Sequence, residues 1–208
     1  MTKRVLFAAF LALIASLPSY AVDVTNSSPE GAGSLAYAVQ QVNIGADNTI
    51  NINHPNVGTI TLTRELTLES DVTINGNGVT IEGTNERRLF TITYGHAVFN
   101  DITFTGGNAA SGNGGAVEVA NKSSWAEFYN CTFFGNSARD YGGAVCVTEG
   151  SNDDITRLKH CSISGNTAGI DGGGLAAVSG GLRVYSSIIT GNKSSYDIYA
   201  EQSQSLSS

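Results

Sequence analysis

Apolar and polar residues alternate along most of this chain, in short bursts. Ile50-Asn51-Ile52, Ile60-Thr61-Leu62, Leu66-Thr67-Leu68, Val72-Thr73-Ile74, Val79-Thr80-Ile81 and Phe90-Thr91-Ile92 are each bounded by Gly, Asn or Asp. A period of two marks half-buried strands, and strands this short do not support themselves as hairpin sheets. Asn75-Gly76-Asn77-Gly78 and Glu82-Gly83-Thr84 redirect the chain as corners within a larger repeat, unlike two-residue hairpin turns. The pattern predicts short strands stacked in parallel.

Landmarks recur in the same order. Gly106–Val119 (GGNAASGNGGAVEV), Gly135–Val147 (GNSARDYGGAVCV) and Gly165–Ala177 (GNTAGIDGGGLAA) are followed by a half-repeat at Gly191-Asn192. The Asn residues at 108, 136, 166 and 192 step by 28, 30 and 26, a period typical of solenoids. Alignment on the glycine places Phe104, Phe133, Ile163 and Ile189 in one inward column and Ile102, Cys131, Cys161 and Ser187 in another. Val117, Val145 and Leu175, then Val119, Val147 and Ala177, form two more. Asn108, Asn136, Asn166 and Asn192 read as a structural ladder at a left-handed corner, each amide bonding to the next coil. The predicted fold is an all-β, right-handed parallel β-helix over residues 49–199, with about six coils of three short strands at the usual strand spacing.

The ends differ from this middle. Within residues 22–48, Leu35, Ala38, Val39 and Val42 have helical spacing, with Ser34 as N-cap and Gly45 as terminator. This predicts a short amphipathic helix capping the stack. Residues 1–21 read as a signal peptide: Lys3-Arg4, an apolar run Val5–Leu17, and a small-x-small site at Ser19-Tyr20-Ala21. Residues 200–208 read as a disordered polar tail. With no second cap visible, the C-terminal end is expected either to meet a capping partner or another copy end to end, or to be a truncation point.

Composition narrows the classes. Gly accounts for 25 residues, charged residues for 14%, and the formal charge is −7. Many positions allowing positive φ fit an all-β solenoid, and the acidity argues against nucleic acid as a partner. No stretch is long enough for a transmembrane helix.

CTFFGNSARDYGGAV and CSISGNTAGIDGGGLAAV resemble the repeats of bacterial β-helix surface proteins, including the polymorphic outer-membrane proteins of chlamydiae. Gly142–Val145 matches the family's Gly-Gly-Ala-Ile signature with Val for Ile, and Phe133–Asn136 matches Phe-x-x-Asn. Gly33–Val39 is similar to the Ser-Leu-Arg-x-Ala-Ile opening of related proteins, with Ala36 for Arg. The resemblance covers about residues 32–199. It implies a secreted or outer-membrane-associated protein, in some members an adhesin; the chain is accordingly read as a non-catalytic protein that binds a glycan, a host or cell-surface protein, or another copy of itself.

Polysaccharide lyases and glycoside hydrolases share this fold, so catalysis needs a site of its own. A lyase would gather carboxylates around Ca²⁺ beside a Lys or Arg base; a hydrolase would pair an acid with a base. Asp140, Asp153, Asp154 and Asp171 are the carboxylate candidates, with Arg139, Arg157 and Lys159 as cations. Asp140 and Asp171, in equivalent loops, are the best pair, although Asp ahead of glycine is also a turn former. His54, His96 and His160 lack metal-ligand spacing, and no cofactor is expected outside the Ca²⁺-lyase alternative. Cys131 and Cys161 align one coil apart as a disulfide or as two buried free thiols. Cys146 aligns with Glu118 and is expected to point outward. Arg139, Asp140, Tyr141 and Asp171 therefore remain as outward-facing binding candidates.

Overall fold

The computed structural model describes residues 21–150 and 154–201, so most of the expected signal peptide, Asp153 and residues 202–208 lie outside the described residues. The chain is a parallel β-solenoid. Its long sheet stacks seven strands in the order Val22–Val24, Thr49–Ile52, Val72–Gly83, Gly95–Thr105, Ser124–Tyr129, Thr156–Lys159 and Leu182–Tyr185. This is one coil more than expected: Val22–Val24, placed in the cap by the sequence reading, pairs in parallel with Ile50–Ile52. A second series runs through Thr132–Phe134, Ser162–Ser164 and Ile188–Thr190. The opposite sheet stacks Leu66–Leu68, Phe90–Ile92, Val117–Ala120, Val145–Glu149, Leu175–Ala177 and Ile198–Ala200.

The predicted columns are in register. Phe133 faces Phe104 and Ile163, and Ile163 faces Ile189; Val145 faces Val117 and Leu175. Alternation turns these side chains inward, where five phenylalanines meet. Phe104 stacks on Phe133 at 4.8 Å and Phe99 on Phe128 at 5.0 Å, with Phe90 meeting Phe99 and Phe104 edge-on. Offset and edge geometries suit the ring quadrupole and add about 1 kcal/mol per pair beyond burial.

The corners are set by backbone conformation. Asn77, Asp101, Asn130, His160 and Ser186 turn the chain off the long sheet with φ between +47° and +56°. The next corner uses Gly106, Gly135, Gly165 and Gly191 at φ +64° to +67°. The ladder asparagines were expected to take that left-handed conformation themselves; the glycine ahead of each takes it instead. At the following corner neighbouring loops nearly touch, and a Cβ on Gly143 would sit 2.1 Å from the Gly173 carbonyl oxygen.

Asn136 and Asn166 are buried, and each ties its coil to the next. The Asn136 backbone N–H and Nδ2 both donate to Asn166 Oδ1, and those of Asn166 donate to Asn192 Oδ1. Asn108 is not a rung. The position facing Asn136 belongs to Gly107, whose N–H donates to Asn136 Oδ1, while Asn108 pairs with Ser137 and bonds the Asn85 carbonyl. An extra glycine in Gly106-Gly107-Asn108 shifts that asparagine by one residue. At the other end the ladder stops on Asp197, whose Oδ1 accepts from the Asn192 N–H and Nδ2.

The helix spans Leu35–Asn43, with Ser34 Oγ accepting from the Tyr37 N–H. Leu35, Ala38, Val39 and Val42 are buried, and the helix packs on Val22–Val24, Thr49–Ile52 and Leu66–Leu68, closing the N-terminal end as expected. At the last rung Ile188 and Ile198 are exposed.

Candidate functional site

Polar residues of the long sheet point outward between the buried ones, and their chemistry changes along the stack. On the N-terminal coils the outward column is a neutral amide ladder: Asn75 Nδ2 donates to Asn51 Oδ1, and Asn100 Nδ2 to Asn75 Oδ1. Continuing in register, that column becomes Tyr129, Lys159 and Tyr185. The adjacent column holds Glu127, Arg157 and Arg183, and ahead of it Trp125 faces His96. Thus three strands, Ser124–Tyr129, Thr156–Lys159 and Leu182–Tyr185, carry aromatic and charged side chains on one face.

These side chains fix one another. The His96 and Trp125 rings stack at 4.8 Å and 15°. Glu127 is the hub: Tyr129 Oη donates to its Oε2 at 2.7 Å, Arg157 donates to its Oε1 at 3.1 Å, and His96 Nε2 lies 3.8 Å from Oε2. Burial works to raise the Glu127 pKa, but the Tyr129 hydroxyl, His96 and Arg157 outweigh it and hold the carboxyl below its ordinary range. Lys159 Nζ sits 5.0 Å from the Tyr129 ring centroid and 5.9 Å from that of Tyr185, a cation held between two aromatic faces. Arg183 is exposed and forms no salt bridge among the described residues. The result is a pre-arranged surface of aromatic rings, fixed donors and one exposed guanidinium.

The loop candidates are arranged differently from the expectation. Tyr141, not Asp140, pairs with Asp171, so the two aspartates do not share a column. Asp171 Oδ1 accepts from the Gly172 and Tyr196 N–H groups, so its carboxylate caps a turn. Asp140 lies 3.8 Å from the exposed Arg139, and Tyr141 stacks on Tyr199 at 5.1 Å. Arg139 is exposed and Tyr141 half-buried at this surface.

A second cluster lies on the outer side of the opposite sheet, and the sequence reading missed it. Arg88 Nη1 is 3.1 Å from Glu65 Oε1 and 2.8 Å from Glu118 Oε2, and the same guanidinium donates to Thr91 Oγ1 and to the Asn113 and Gly114 carbonyls. The Thr91 hydroxyl donates to Glu65, and Thr148 Oγ1 to Glu118 at 2.6 Å. Both carboxylates are engaged by the protein itself, which makes the cluster a clamp between coils. Cys146 does face Glu118 across the strands, as expected, yet it is buried beneath this loop layer. Burial pushes its thiol up to about 12. Cys131 and Cys161 are buried free thiols in neighbouring coils, and burial raises Cys131 well above its usual value.

His54 Nδ1 contacts the Asn77 carbonyl at 2.9 Å, and His160 occupies a left-handed corner. Among the described residues no three His, Cys, Asp or Glu side chains form a metal-holding group, and no helix is long and apolar enough to cross a membrane. No protein-family model, no curated protein and no solved structure matches this chain.

Proposed function

We propose that this protein is a non-catalytic binding protein whose long-sheet face, centred on Trp125, Tyr129, Lys159 and Tyr185, holds a glycan at or outside the cell surface. The carrying observation is the run of aromatic rings and fixed donors on three successive strands. The C–H face of a pyranose carries partial positive charge and settles on the negative face of an aromatic ring, while sugar hydroxyls take up the polar neighbours. The apolar run and small-x-small site of residues 1–21, and the resemblance to bacterial surface β-helices, support placing this surface outside the cell.

Purified protein screened against a glycan array is expected to bind a defined subset of glycans. Trp125→Ala should weaken that binding about tenfold, the value of one aromatic stacking contact, measured well below a thermal midpoint that falls modestly because the His96 stacking is lost too. Equal binding by wild type and variant would remove the face from the account. The competing enzyme reading predicts Ca²⁺-dependent release of unsaturated product, abolished in Asp140→Ala or Asp171→Ala; the turn-capping role of Asp171 weighs against it.

A further inference from the structure

The charge on the long-sheet face is distributed unlike the charge of the whole chain. The protein has 11 Lys and Arg, of which Lys3 and Arg4 precede residue 22; three of the remaining nine, Arg157, Lys159 and Arg183, lie in two adjacent strands of one face. Arg157 and Arg183 are directly in register. Like charges placed opposite each other across a strand pair are unfavourable, and among the ion pairs of the described residues Glu127, already shared with His96, Tyr129 and Arg157, is the carboxylate that offsets them. Lys159 is positioned by Tyr129 and Tyr185, and Arg183 points into solvent on the strand beside it. A chain of net charge −7 has no general need of an uncompensated cationic spot. Such an arrangement suits an incoming anion that completes the neutralisation.

Resting on the reading of this face as glycan-binding, we propose that Lys159 and Arg183, bordered by Arg157 and Tyr185, form a subsite for an anionic substituent of the glycan. The substituent is a uronate carboxylate or a sulfate ester, both of which present oxygen pairs that a guanidinium grips in bidentate fashion. Tyr185 supplies the ring face on which the substituted sugar lies.

The test uses the full chain and two matched probe pairs: polygalacturonate against its carboxyl-reduced form, and dextran sulfate against dextran. Wild type is expected to favour the charged member of at least one pair by about tenfold or more, with the preference falling steeply as salt is raised. The pair that responds identifies carboxylate or sulfate as the source. Arg183→Gln should cut the preference several-fold while leaving the thermal midpoint equal or higher, because a like-charge contact is relieved; Arg87→Gln, the same charge change at an exposed arginine elsewhere, should leave the preference intact. Equal binding of charged and neutral probes, or equal losses in the Arg183 and Arg87 variants, overturns the anionic subsite alone. A preference that survives Arg183→Gln combined with Lys159→Gln does the same. Absence of binding to every probe and to the glycan array overturns the glycan reading as well.

Discussion

Asn166→Ala is expected to destabilise the solenoid by about 4 kcal/mol. The side chain is fully buried and holds five partners: its Nδ2 donates to the Phe133 and Ser164 carbonyls and to Asn192 Oδ1, and its Oδ1 accepts from the Asn136 N–H and Nδ2. Alanine leaves the Asn136 N–H without its acceptor and the Phe133 and Ser164 carbonyls without that donor, whereas Asn136 Nδ2 keeps the Phe104 carbonyl and Asn192 Oδ1 keeps the residue-166 N–H; each buried unsatisfied group costs about 1–3 kcal/mol, with incomplete additivity. In a solenoid the damage stays with neighbouring coils, so hydrogen exchange should rise first across residues 130–192. Asn108→Ala is the control. That side chain is partly exposed, has one bond to the Asn85 carbonyl, and should cost less than about 1 kcal/mol in urea unfolding. Equal costs at both positions would dissolve the ladder as drawn.

Arg88→Met is expected to cost about 3 kcal/mol. Arg88 and Glu118 are each 13% exposed, and removing the guanidinium leaves the carboxylates of Glu65 and Glu118 without their shared counter-charge and two backbone carbonyls without a donor. Breaking one partner of a largely buried pair is far more costly than replacing the whole pair by apolar groups. Glu118→Gln should therefore recover part of the loss in the Arg88→Met background. A double-mutant cycle by chemical denaturation is expected to return a coupling above about 1 kcal/mol, and purely additive losses would contradict the clamp.

How far the sequence carried can be argued from these residues. The inward columns were legible because Phe104, Phe133, Ile163 and Ile189 recur at a fixed offset from a glycine, and parallel stacking converts a fixed offset into contact. Asn108 was misassigned because spacing was counted from Asn to Asn, whereas the coil is defined by the left-handed glycine; Gly107 holds the rung position. The seventh coil escaped because Val22–Val24 is separated from its partner strand by the capping helix. Alternation correctly gave the side of the strand on which Cys146 lies, but it carries no information about a loop lying above that side.

The long-sheet face proposed for binding was only half visible. Arg157 and Lys159 were singled out as cations, yet Asn100, Tyr129, Lys159 and Tyr185 share no chemistry that would reveal them as one column. Their alignment depends on register across turns of unequal length. Glu65 and Arg88 lie in connections ahead of strands and Glu118 within one, with no common period, so the folded chain is what brings them together.

The most direct measurement of the central claim is an amide and side-chain NMR footprint of the protein with a glycan taken from the array. The account predicts shifts concentrated at the indole of Trp125 and along 125–129, 157–159 and 183–185, with residues 139–141 and 171 unchanged. Shifts confined to the loop around Arg139, Asp140, Tyr141 and Asp171, with the long-sheet face silent, would contradict it.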